Sequence, residues 1–85
     1  MLDHTELVYN QSLSIPRLLW QDVADTLERN QGVQFASADV IFLFEIWNRY
    51  MTKEKENINC SGCRTKVISK LKRIVAIWKD KGEIK

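Results

Sequence analysis

From Arg64 to Asp80 the apolar residues Val67, Ile68, Leu71, Ile74, Val75 and Trp78 fall within roughly 120° of arc at 3.6 residues per turn. Such a stripe is buried by laying one side of an α-helix on a core, and no strand pattern precedes it. The chain has 85 residues, room for one hydrophobic core and not two, which excludes the large catalytic scaffolds. With 45% hydrophobic residues, 28% charged residues, three Gly and one Pro, it is too apolar for a disordered chain and too charged for a membrane span.

Two further segments carry the same period. Ile15, Leu19, Val23 and Leu27 recur every fourth residue with Trp20 alongside, while Asp22, Asp25 and Glu28 fall on the other side. Ser14 as cap and Pro16 in the first turn predict the start of this helix, and Gly32 its end. A turn over Gln31–Ala36 leads to Ser37, a second cap, with Asp39 placed where the helix dipole favours a carboxylate. The second helix, Ala38–Met51, is apolar over a broad arc of Val40, Leu43, Phe44, Ile46, Trp47, Tyr50 and Met51. Ile41 and Phe42 project instead toward the narrow polar side made by Glu45, Asn48 and Arg49. A helix apolar nearly all round is covered on more than one side, so it is expected at the centre or against a partner. Thr52–Asn59 reads as a loop, and the third helix starts near Cys60–Cys63. The expectation is an all-α domain of three helices over residues 14–85, preceded by an arm over 1–13. In that arm Leu2, Leu7, Val8, Tyr9 and Leu13 follow neither period.

The net charge of +2 conceals a bipolar chain. From Arg64 onward there are eight basic and two acidic residues, net +6, and residues 1–63 carry five basic and nine acidic, net −4. Arg64, Lys66, Lys70 and Arg73 lie on the arc away from the apolar stripe, where they form either a solvated face or a row for nucleic-acid phosphates. That arc has no interleaved aromatic platform for bases, which favours the solvated face.

Cys60-Ser61-Gly62-Cys63 places two sulfurs at the positive end of the third helix. Three uses compete. Zinc needs four ligands, and with His4 distant a full site requires sharing between two chains. A redox pair normally follows a strand, and none is foreseen. Otherwise the cysteines serve as helix-start or buried groups, Cys60 projecting between Leu71 and Ile74 if helical. No nucleophile has an adjacent base. Asp22, Asp25 and Glu28 have no apolar flank to raise a pKa, and Asp25 is positioned to pair with Arg29. The expectation is a non-enzymatic protein without cofactor, apart from the shared zinc.

No stretch reaches the roughly 20 apolar residues of a bilayer span. The acidic N-terminus lacks the basic start of a signal peptide, so a cytoplasmic or virion location and no membrane contact are expected. Ile41, Phe42 and Ile77 remain apolar after each helix has given one stripe to the core. With Trp47 and Tyr9, the pair Ile41 and Phe42 form the expected anchors for a larger protein or a second copy.

The aromatic segment Ile41–Trp47, the turn Asn59-Cys60-Ser61-Gly62-Cys63-Arg64 and the helix Val67–Trp78 resemble short uncharacterised proteins of tailed bacteriophages of Bacteroidetes, the crAss-like group included. The resemblance covers about residues 40–80. It implies a small virion component filling a joint between larger proteins, or a small host-takeover factor, and carries over no catalytic residue.

Overall fold

The computed structural model describes residues 3–30, 36–52, 56 and 59–84. Gly32, Leu2 and most of the expected 52–59 loop lie outside the described residues. Among those described, four α-helices and no strand are found: α1 (His4–Ser12), α2 (Trp20–Arg29), α3 (Ser37–Ile46) and α4 (Ser61–Asp80). The all-α class holds, and the segment expected to be an irregular arm is largely α1. Asp3 caps it by accepting the Glu6 N–H at 2.8 Å, an Asp-x-x-Glu start. The inward face of α1 carries Val8, Tyr9 and Ser12, and Ser12 is the fully buried member. Because the deepest position is a hydroxyl, hydrophobic periodicity misses this helix.

The expected start of the next helix at Ser14 also shifts. Pro16 sits at ψ 132°, outside helical geometry, and a short 3₁₀ turn over Arg17–Leu19 delivers the chain to α2 at Trp20. The delay leaves the Ile15 carbonyl to accept the Trp20 indole N–H at 2.8 Å. At its other end α2 stops at Arg29, with Asn30 as its cap. The buried Asn30 amide donates to the Thr26 carbonyl and to Asp39, and its oxygen accepts the Ala36 N–H. Arg29 completes this corner with two hydrogen bonds to Asp39, so its partner is Asp39 and not the expected Asp25, which accepts from Gln21. Ser37 is the first helical residue of α3, and Ala36 is its cap.

The segment read as one helix over 38–51 is α3 followed by a π turn, Trp47–Met51. α4 begins at the predicted place, and its stripe of Val67, Leu71, Ile74, Val75 and Trp78 is buried. The expected central position of the second helix is corrected: α4, twenty residues and about 30 Å long, packs against α1, α2 and α3 alike. Covered from three sides, it also buries Ile77, expected as a leftover. Gly82 closes α4 at φ +73°, with the Glu83 N–H returning to the Trp78 carbonyl and the Gly82 N–H to that of Lys79.

That turn brings Glu83 against Arg17 and the Tyr9 hydroxyl. Beneath it Trp20 and Trp78 stack at 4.2 Å with their planes 6° apart, and Tyr9 meets Trp20 edge-on at 6.3 Å. The Trp78 indole N–H donates to Ser12 Oγ at 3.0 Å, and Ser12 donates to the Tyr9 carbonyl at 2.6 Å. Helices distant in sequence are thereby joined through paired polar groups.

Candidate functional site: a basic groove beside the helix-start cysteines

A concave groove of about 500 Å³ runs between α1, the π turn and α4. The π turn supplies Trp47, Tyr50 and Met51, α1 supplies His4 and Val8, and α4 supplies Lys66, Lys70, Arg73 and Ile74. Three of the four basic residues proposed for nucleic acid therefore share one surface with an expected partner anchor, Trp47. Arg64 is exposed in the first turn of α4 and does not line the groove.

Trp47 is only 6% exposed and belongs to the core, which corrects its assignment as a surface anchor. Its indole Nε1 is buried and has no hydrogen-bond partner among the described residues. The Lys70 ammonium stands 5.5 Å from its ring centroid, so the aromatic sits beneath a cation. Tyr9 is half-buried and engaged by Glu83 and Lys81, away from the groove lining. Phe42 is half-buried and packed on the core, lining a separate depression with Asp22, Asp25 and Asp39. Ile41 is 49% exposed, as expected of an outward residue.

Glu56 organises the other end of the groove. Its backbone is clasped by the Asn48 amide, which donates to the Glu56 carbonyl at 3.2 Å and accepts the Glu56 N–H at 2.8 Å. The Glu56 carboxylate pairs with Lys66, which holds it below the usual carboxylate range, the Cys63 thiol adding a smaller contribution. Lys66 is correspondingly raised, first by its hydrogen bond to Glu56. Lys70 and Arg73 form no ion pair among the described residues. The sequence placed Asn48 on a polar face and Glu56 in a loop, and their pairing across eight residues left no periodic signal.

Cys60 and Cys63 are not joined by a disulfide. Cys60 is the cap of α4, with extended backbone, and its sulfur accepts the Cys63 N–H at 3.3 Å. This corrects the alternative in which Cys60 lies on the apolar stripe: it is exposed, whereas Cys63 is half-buried against the core. Among the described residues no three ligand-type side chains gather into a metal-binding group, and no helix is long and apolar enough to cross a membrane.

Comparison of the chain with protein-family models, curated proteins and solved structures gives no match, so the groove is interpreted from its own geometry.

Proposed function

We propose that this protein is a non-enzymatic adaptor that docks an acidic, partly apolar segment of a larger protein in the groove between α1, the π turn and α4. The supporting observation is the placement of Lys70 and Arg73, without ion-pair partners among the described residues, beside Val8, Tyr50, Met51 and Ile74 in one concave surface. Carboxylates of the segment meet the two cations, and its apolar side chains cover the half-buried lining. The resemblance of residues 40–80 to phage proteins adds a setting, in which the larger protein is a virion or host component.

Nucleic acid fits this surface less well. Trp47 is buried under Lys70 and offers no face for a base, and Lys66 is neutralised by Glu56. Two remaining cations predict a loss of only about tenfold in oligonucleotide affinity between 50 and 200 mM salt.

The test is selection of a displayed random-peptide library on the immobilised protein. Recovered peptides should be rich in Asp and Glu together with Leu or Phe, and lose binding to the Lys70→Glu/Arg73→Glu variant while retaining it to Ile41→Asp. Loss on Ile41→Asp alone would move docking to the outer face of α3. Peptides without acidic enrichment, or tighter capture of a single-stranded oligonucleotide with a steep salt response, would overturn the reading.

A further inference from the structure

The cysteine pair is not used by the docking reading, and its geometry has its own chemistry. Cys60 lies outside the first turn of α4 with its sulfur exposed, and Cys63 follows one turn later, half-buried, with its backbone N–H on that sulfur at 3.3 Å. We propose that Cys60 and Cys63 form a redox-active dithiol that exchanges with disulfides, Cys60 being the attacking sulfur and Cys63 the resolving sulfur.

Two observations support this division of roles. First, only Cys60 is open to an incoming disulfide, whereas Cys63 is set back at the position from which it reaches Cys60. Second, the Cys60 thiol is held below its ordinary value, chiefly by hydrogen bonding from the Cys63 thiol, then by the Cys63 and Gly62 N–H groups, with Glu56 opposing. A Cβ built on Gly62 would stand 4.0 Å from Cys60 Sγ, an ordinary contact, so the turn between the cysteines is not overcrowded.

With an organic disulfide as oxidant the step balances as follows. The Cys60 thiolate attacks one sulfur of the disulfide, forming a mixed disulfide and expelling one thiolate, which takes a proton from water. Cys63 gives up its proton to solvent, and its thiolate attacks Cys60 Sγ, forming the Cys60–Cys63 bond and expelling the second thiolate, which is protonated from solvent. Two electrons leave the protein, and one disulfide becomes two thiols. The reverse sequence reduces the protein. The requirement for a preceding strand was a feature of one kind of scaffold; an exposed thiol at a helix start with a second thiol one turn on is sufficient for the chemistry.

The full chain is equilibrated in reduced and oxidised glutathione buffers and analysed by intact mass and peptide mapping. The expected product is an intramolecular disulfide, two hydrogens lighter. Cys63→Ser should trap one glutathione on Cys60. Cys60→Ser, which keeps an oxygen to cap α4, should react at least about tenfold more slowly at its remaining thiol. The proposal is overturned if both thiols alkylate at equal rates with ordinary pH midpoints and no intramolecular bond forms. It is equally overturned if the protein purifies as a zinc-linked pair of chains with both thiols protected.

Discussion

Trp20 and Trp78 stack face to face and each gives its indole N–H to an acceptor, the Ile15 carbonyl and Ser12 Oγ. Trp47, buried nearly as deeply, gives its N–H to none among the described residues. Around the first pair Arg17 lies 4.7 Å over Trp20, Lys81 lies 4.7 Å over Tyr9, and Glu83 joins both layers. Beside Trp47 the surface is concave, and Lys70 and Arg73 are exposed and form no ion pair among the described residues, Lys70 acting on Glu56 only at longer range. One region is completed by its own chain and holds α1, α2 and α4 together. In the other, the Trp47 indole N–H has no acceptor among the described residues, and Lys70 and Arg73 stand exposed without an ion pair there. The difference separates a structural use of tryptophan from a surface available for binding.

The contrast can be broken most forcefully at the stack. Trp78→Ala should lower unfolding free energy by about 3–5 kcal/mol in denaturant titration, since it removes a fully buried ring from between three helices. A sharper comparison is the set of Trp→Phe replacements. Trp20→Phe and Trp78→Phe each leave an acceptor behind, and should cost about 1–3 kcal/mol more than Trp47→Phe, which removes an unsatisfied donor. Equal costs at the three positions would erase the distinction. Gly82→Ala should cost about 1–2 kcal/mol because φ +73° is unfavourable for a residue with a Cβ, and it should loosen Glu83 from Arg17.

Acid acts at both the α2–α3 corner and the groove. Asp39 is held below its ordinary 3.8, first by Arg29 and then by Asn30, and Glu56 below its ordinary 4.5, first by Lys66. A lowered carboxylate stabilises the fold above its unfolded pKa, and that contribution is lost as pH falls through the folded value. Melting temperature should therefore decline as pH drops below about 4.5, and Asp39→Asn should flatten part of that decline. The smallest stability effect belongs to Lys70→Glu/Arg73→Glu, expected within about 0.5 kcal/mol of the parent because both side chains are exposed.

Elements whose apolar residues recur on one face were legible in sequence. α4 and most of α2 follow directly from Val67–Trp78 and from Trp20, Val23 and Leu27, and the all-α class follows with them. α1 was hidden because its inward face runs Val8, Tyr9, Ser12, and a buried hydroxyl does not register in a hydrophobic pattern. Its Asp3 and Glu6 cap signal was present and unused. One stripe per helix leaves Phe42 and Ile77 as surplus, whereas α3 and α4 are each covered along more than one line. Lys66, Lys70 and Arg73 were recognised as a set. The groove they border has no such signal, since its walls come from segments separated by tens of residues and its Asn48–Glu56 clasp pairs side chain with backbone across eight residues.

The three indole N–H groups provide one direct measurement. In a ¹⁵N–¹H correlation spectrum, titration with an acidic peptide rich in Asp, Glu and Leu should shift the Trp47 indole resonance, which lies under Lys70 at the groove. The Trp20 and Trp78 resonances should stay in place. Movement of the stacked pair with Trp47 unchanged, or no movement of any indole at saturating peptide, would contradict the assignment of the groove as the docking surface.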